Sequence, residues 1–108
     1  MTYELRAKKV RPEALRSIAH GTITGSYAAI GSAVANGNVD VLIIDNEMDV
    51  PVLVSFDGTT DHLRVGTGDS LTVDMKSNNL HVEQGMTIYI KEESAASSGN
   101  TFIMAIRG

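Results

Sequence analysis

The sequence predicts an all-β domain: a jelly-roll-like antiparallel β-sandwich of about seven or eight short strands, preceded by an N-terminal arm. Three observations predict it. From residue 39 onward, short apolar or alternating segments are separated by turn-forming residues. No long amphipathic helical pattern occurs, which disfavours a βαβ fold. The chain has 108 residues, enough for one domain with one modest core.

The central strands follow one another closely. Residues 39–45 are β-branched and mostly apolar, which is typical of a strand buried on both faces or lying in a sandwich core. Residues 51–56 begin with Pro51, which suits the first position of a strand. Residues 61–65 alternate after the turn dipeptide Asp57-Gly58. These two segments predict a hairpin.

The later strands alternate more clearly. In residues 70–75, Leu71, Val73 and Met75 share one face. Residues 86–91 and 101–107 predict two further strands, and residues 80–82 are compatible with a short one. Residues 92–100 are small and polar and predict a flexible loop.

The first third is less regular. Residues 12–19 are compatible with a short helix that has Leu15, Ile18 and Ala19 on one side. Residues 21–27 predict a strand kinked at Gly25, and residues 36–38 predict a turn.

Charge divides the chain into a basic N-terminal arm, residues 1–20, and an acidic β-sandwich domain, residues 21–108. The first segment has five basic and two acidic side chains, net +3, whereas the second has four and eleven, net −7. Nucleic-acid binding needs a broad positive surface, so the acidic body argues against a nucleic-acid partner. The longest apolar run is too short to cross a bilayer, which argues against a membrane partner.

Several kinds of site are excluded or disfavoured. The chain contains no cysteine, which excludes disulfides, zinc–thiolate sites and cysteine nucleophiles. His20, His62 and His81 lie in no recognised catalytic motif. We therefore expect no catalytic residue, no cofactor and no metal, and the chain is expected not to be an enzyme.

One cluster of two aspartates and a histidine is a candidate metal site. Asp57, Asp61 and His62 fall within six residues, and their oxygens and imidazole could bind a cation. The favoured interpretation is that Asp57 caps a turn while Asp61 and His62 are solvated. Residues 45–49 superficially resemble a calcium loop, but Val50 and Phe56 stand where that pattern needs Gly and Glu.

The aromatic residues bear on a second function class, a carbohydrate- or receptor-binding module. Sugar sites commonly present exposed rings, yet this chain has no tryptophan and five other aromatic residues. Phe56 and Phe102 lie in apolar strands and are expected in the core. Tyr89 is expected opposite Ile88 and Ile90, on the exposed side of its strand.

The start of the arm combines apolar and basic side chains. Three interpretations remain open: a solvated tail, a phosphate contact, or docking on a neighbouring subunit. A leading charged stretch is more often a solvated tail, but an identical acidic body would attract this arm, as docking requires. The candidate docking residues are Tyr3, Leu5, Arg6, Lys8, Lys9, Val10 and Arg11.

Three segments, residues 16–31, 39–62 and 97–107, resemble small structural proteins of tailed-bacteriophage particles. The similarity lies in an apolar strand, a polar turn and the hairpin that contains Ser55-Phe-Asp-Gly58 and Asp61-His62. It implies a non-enzymatic virion protein that decorates the capsid or belongs to the neck or tail. The implied partners are copies of itself and a larger virion protein (capsid, portal or tail), and the implied location is the virion.

Overall fold

The computed structural model describes residues 11–34, 39–75 and 85–107. Within these ranges the chain forms nine β-strands and no helix. In chain order the strands are β1 (Arg11–Pro12), β2 (Arg16–Ala19), β3 (Ala28–Ala29), β4 (Val41–Asn46), β5 (Val52–Ser55), β6 (Leu63–Val65), β7 (Ser70–Asp74), β8 (Tyr89–Glu92) and β9 (Asn100–Arg107).

The strands form two antiparallel sheets. In the five-stranded sheet the order is β1-β9-β4-β7, with β2 also paired to β9. In the four-stranded sheet the order is β3-β8-β5-β6. Because β1 and β2 lie end to end along β9, they act as one interrupted strand, and two sheets of four strands result. This is the jelly-roll order, so the predicted sandwich is confirmed.

The core lies between the sheets and is aliphatic. Along β4, Leu42, Ile44 and Asn46 are buried while the residues between them are only half-buried. Ile103 and Ala105 of β9 face the same interior. The opposite sheet contributes Val52, Val54, Val65, Ile88 and Ile90, all of them at most 2% exposed. Buried and half-buried residues alternate in this way because each sheet buries only one of its two faces.

The helix that residues 12–19 suggested is wrong. Residues Arg16–Ala19 form β2, in which Arg16 and Ile18 are buried and the two residues between and after them are exposed. A segment of eight residues is too short to distinguish the helical period from the strand period. Hydrogen bonding to β9 therefore determines that these residues form a strand, because tertiary pairing overrides local propensity. The boundary at residue 20 stays a prediction, although β1 and β2 both belong to the five-stranded sheet.

A β-bulge separates β1 from β2. Pro12 pairs with Ile106 and Arg16 with Ile103, so residues 13–15 oppose only residues 104 and 105. The backbone N–H of Glu13 donates to the carbonyl of Ala105 at 2.8 Å. The extra residue in the bulge locally bends the strand.

Most other strand predictions are confirmed, with shifted ends. β5 and β6 form the predicted hairpin, with Val52 paired to Val65. The strands predicted at 39–45, 70–75, 86–91 and 101–107 are β4, β7, β8 and β9. The strand predicted over residues 21–27 is wrong, since turns fill this stretch and only Ala28–Ala29 form β3. Residues 36–38 and 80–82 lie outside the described residues.

The two phenylalanines differ. Phe56 packs against the core cluster as expected. Phe102 does not lie in the core: on β9 it falls between the buried Thr101 and Ile103, so it points to the outer side of its sheet. No helix in the described part of the chain is long and apolar enough to span a membrane.

Candidate functional site

Of the residues predicted to dock on a neighbouring subunit, the structure describes only Arg11. Tyr3, Leu5, Arg6, Lys8, Lys9 and Val10 lie outside the described residues. The backbone of Arg11 belongs to β1 and pairs with Arg107 at the end of β9. The arm therefore joins the body at one end of the five-stranded sheet.

The open sheet edges are the first candidate surface. Among the described residues, β7 pairs only with β4, so its other edge has no strand partner. The N–H of Asn46 donates to Asp69 O and that of Met75 to Asp40 O, at 2.9 and 2.8 Å. In an antiparallel ladder alternate residues face the partner strand. The N–H groups of Ser70, Thr72 and Asp74 therefore face the open edge.

The second candidate surface is an apolar patch on the outer side of the five-stranded sheet, here called the outer apolar face. It consists of half-buried side chains that alternate with core residues along the two central strands, and β4–β9 pairing places Val41 beside Ile106 and Ile43 beside Met104. Its members are Val41, Ile43, Phe102, Met104 and Ile106. The apolar run at residues 41–44 was the sequence signal for it, interpreted as part of a strand buried on both faces or lying in a sandwich core.

Asp57, the centre of the suspected cation cluster, caps a turn instead. One carboxylate oxygen accepts hydrogen bonds from the N–H groups of Thr59 and Thr60, both at 2.8 Å. The Ser55 hydroxyl donates to the same oxygen at 2.8 Å. The bonds from Thr60 and Thr59 hold the pKa of Asp57 far below its usual range. The turn interpretation of Asp57 is confirmed.

Asp61 and His62 take separate local partners. Asp61 accepts a hydrogen bond from the Tyr27 hydroxyl at 2.6 Å and faces the Lys91 ammonium at 3.4 Å. The bond from Tyr27 lowers the pKa of Asp61, and burial together with this bond raises the pKa of Tyr27. His62 Nδ1 accepts the backbone N–H of Phe56 at 3.0 Å. Within the described ranges no group of three or more His, Asp or Glu is arranged to hold a metal.

The rings relevant to a carbohydrate site are partly covered. The Lys91 ammonium lies 4.6 Å from the centroid of the Tyr27 ring. Gly58 packs on the Tyr89 ring, since an added methyl group there would lie 3.5 Å from Cε2 and Cζ. Tyr89 is half-buried. A sugar that stacks on these rings would have to displace such neighbours.

The two histidines that the structure describes, His20 and His62, belong to different sheets. His20 follows β2 in the five-stranded sheet, and its Nδ1 lies 3.2 Å from Gly99 O. His62 precedes β6 in the other sheet. His81 lies outside the described residues. A catalytic arrangement built on His20 and His62 would have to bridge two sheets.

Arg16 is a buried cation that the sequence interpretation left among the arm's charges. Its guanidinium Nη2 donates to Glu13 Oε1 at 2.9 Å and to Ser32 O at 3.0 Å. Its side chain is 5% exposed, and Nε and Nη1 have no hydrogen-bond partner among the residues that the structure describes. Arg16 thereby joins the bulge to the segment after β3. Alternation with Ile18 was the only sequence signal for its burial.

Comparison with known proteins supports the fold. No family model and no curated protein matches the sequence. The chain is similar to a solved structure of Bacillus endospore appendages, described as a novel family of disulfide-linked pili. The likeness has a TM-score of 0.50 at 21% identity and covers 92% of this chain and 87% of that one. At this identity the likeness concerns the fold.

Proposed function

We propose that this chain is a non-enzymatic structural subunit that assembles with copies of itself and with a larger partner in a bacteriophage particle. In such a particle the subunit lies on the capsid surface, at the neck or on the tail. The subunit acts through docking of its surfaces, and no chemical step is involved.

The fold likeness supports an assembly role, because the similar structure comes from a pilus-like appendage. That appendage is described as disulfide-linked, whereas this sequence contains no cysteine. Copies of this chain would therefore have to associate without disulfide bonds between them. Strand edges and apolar surfaces are the contacts that remain.

The open edge of β7 is the observation that carries the proposal. Proteins that stay monomeric commonly protect such edges with proline, lysine or very short strands. β7 is five residues long, and its sequence, SLTVD, contains neither proline nor lysine. The resemblance of residues 39–62 to phage virion proteins supports the particle as the setting.

Thr72→Pro tests this edge. The substitution removes an N–H that faces outward, so it leaves the β4–β7 hydrogen bonds in place. Loss of one or two intermolecular hydrogen bonds would weaken self-association by about five- to tenfold. Sedimentation of the full chain over a range of concentrations measures the change. Incorporation into particles assembled in infected cells provides the second readout.

Thr72→Val is the matched control, because it keeps the N–H and the strand propensity. We expect it to associate and incorporate like the parent protein. Equal association of all three proteins would exclude the β7 edge. A parent protein that stays monomeric and is absent from particles would contradict the proposed function.

A further inference from the structure

The outer apolar face is unusual for the outside of a sandwich. Antiparallel sheets that face water on one side normally carry polar residues there. Here the two central strands place Ile43 beside Met104 and Val41 beside Ile106. A contiguous apolar patch on the outside of a small domain, only half covered by its own neighbours, indicates an interaction site.

Leu15 extends this face at the bulge. It is 58% exposed, the only large hydrophobic side chain so exposed in the described ranges. Arg16 pairs with Ile103, so Leu15, in the bulge just before Arg16, lies beside residues 104 and 105 of β9. The apolar surface therefore includes the bulge as well as β4 and β9.

One end of the face is acidic. Asp45 pairs with Phe102 on the outer side of the sheet, and Glu47 follows two residues later. Contact with the Asp45 carboxylate raises the pKa of Glu47, which indicates two neighbouring negative groups. None of the ion pairs formed between described residues includes either of them. A segment that covers this face would therefore combine apolar side chains with positive charge.

Residues 1–10 have this composition. Tyr3, Leu5 and Ala7 alternate with Glu4, Arg6 and Lys8, so an extended segment would present apolar groups on one side and a net positive charge on the other. Fully extended, ten residues span roughly 33 Å, which exceeds the length of an eight-residue strand by about two residues. Length and charge both fit the outer apolar face.

The direction of β1 determines which copy the segment reaches. Arg11 pairs with Arg107, so the chain N-terminal to Arg11 begins beyond the end of β9. Returning to its own face would require a reverse turn, but residues 1–10 contain no Gly, Pro, Asn or Asp. A neighbouring copy is therefore the favoured acceptor.

We infer that residues 1–10 of one copy pack across the outer apolar face of a second copy, with Tyr3 and Leu5 on Ile43, Met104 and Leu15. Arg6 and Lys8 leave the opposite side of the extended segment, and their long side chains bend around its edge toward Asp45 and Glu47. The inference rests on the proposed self-assembly and specifies the surfaces that join the copies.

The cysteine-free sequence allows a direct test by disulfide trapping in the full-length protein. A tagged Leu5→Cys protein is mixed with untagged Leu15→Cys protein under mild oxidation, and the heterodimer is identified by mass. The control is Leu53→Cys, on the outer side of the other sheet. Because Leu53 is less exposed than Leu15, each trapping rate is divided by the rate at which the same cysteine reacts with a small thiol reagent. We expect the Leu5–Leu15 heterodimer to form roughly tenfold faster or more than the Leu5–Leu53 one.

Charge reversal adds a readout that a general surface effect would not reproduce. Arg6→Glu with Lys8→Glu in the tagged protein should lower the trapping rate, and Asp45→Lys with Glu47→Lys in the acceptor should restore it. Glu93→Lys, which reverses an exposed carboxylate on another strand connection, should not restore it.

The outcomes separate the two proposals. Equal trapping at Leu15 and Leu53, or no effect of charge reversal, overturns the inference. A chain carrying both Leu5→Cys and Leu15→Cys that closes within a monomer also overturns it. If self-association depends on Thr72 but no selective heterodimer forms, the proposed function stands and this inference fails. Absence of self-association contradicts both.

Discussion

The buried amide of Asn46 joins three parts of the chain. Its side-chain nitrogen donates to the carbonyls of Val50, Val65 and Gly66, at 2.9, 3.3 and 3.1 Å. Its side-chain oxygen accepts the Met48 N–H and the Thr101 hydroxyl, both at 3.0 Å. Because Asn46 is fully buried, its amide serves groups in the interior of the protein. The Gly66 carbonyl also accepts the Asp69 N–H at 3.0 Å, so it keeps one partner without Asn46.

Asn46→Ala should destabilise the protein by about 3 kcal/mol or more, since it leaves several buried groups unpaired. Thr101→Val removes one donor to the amide and should cost about 1 kcal/mol. Urea unfolding of both variants and of the double variant measures these changes. The double variant should lose less than the sum, because the two side chains share a hydrogen bond. If the losses of the two single variants simply added up in the double variant, the proposed coupling between Asn46 and Thr101 would be wrong.

Sequence alone does not identify Asn46. It stands at the start of a polar stretch, and the acceptors at residues 65 and 66 come about twenty positions later. Asp57 was recognised because its partners are the next few residues. The difference is one of range: local capping leaves a sequence pattern, whereas a long-range amide network does not.

At the level of elements, the β4–β5 loop packs closely on the loop before β9. Asp49 accepts hydrogen bonds from the Ser97 N–H at 2.9 Å and from the Ser97 hydroxyl. Gly99 has φ of +90°, and a Cβ there would lie 2.0 Å from the carbonyl oxygen of Glu47. Residues 92–100 were predicted to be a flexible loop, yet backbone and side-chain bonds attach them to another loop.

Gly99→Ala should therefore destabilise the protein severely, by roughly 3 kcal/mol or more, because backbone has to move. Gly68→Ala is the matched control: its φ is +72° but no atom lies within 4 Å of an added Cβ. That variant should lose only about 1 kcal/mol, from backbone strain alone. Thermal melting compares the two. Similar losses would mean that the close approach to Glu47 is unimportant.

Elements with period-two alternation were predictable, and short elements were not. Leu71 and Val73 of β7 both pack on the core, as their spacing indicated. β2 has four residues and β3 has two, too few to show a period. Their existence depends on the strands they pair with, β9 and β8. The local sequence of β2 and β3 does not indicate which strands they pair with.

For the whole molecule, surface carboxylates determine how stability depends on acidity. The pKa values of Asp49, Asp57, Asp61 and Glu93 are lowered by hydrogen bonds from Ser97, Thr60, Tyr27 and Arg64 respectively. A carboxyl whose pKa is lower in the folded state stabilises it above the unfolded pKa of about 4. That contribution is lost as the pH falls through the folded value.

We therefore expect the melting temperature to fall progressively below about pH 4. Asp57→Ala should lower it at pH 7, and the difference from the parent should shrink as the solution becomes more acidic. Melting followed by circular dichroism between neutral and strongly acidic pH measures both. If the difference in melting temperature between the variant and the parent did not shrink in acid, the Asp57 side chain would stabilise the protein without its charge.

The two-layer architecture was predictable because alternating strands need a shared interior. The sheet order was not, since nothing in the sequence brings β9 between β2 and β4. The outer apolar face was equally hidden: apolar residues on both sides of β4 fit a buried strand as well as an interaction surface.

The position of β9 has a consequence for synthesis on the ribosome. β9 is the last described strand, yet it is the shared neighbour of β1, β2 and β4. Until it emerges, β4 can pair only with β7, and the first strands have no partner in their sheet. Closure of this layer must await residues 100–107, so folding depends on distant pairings and is expected to be slow for so small a domain.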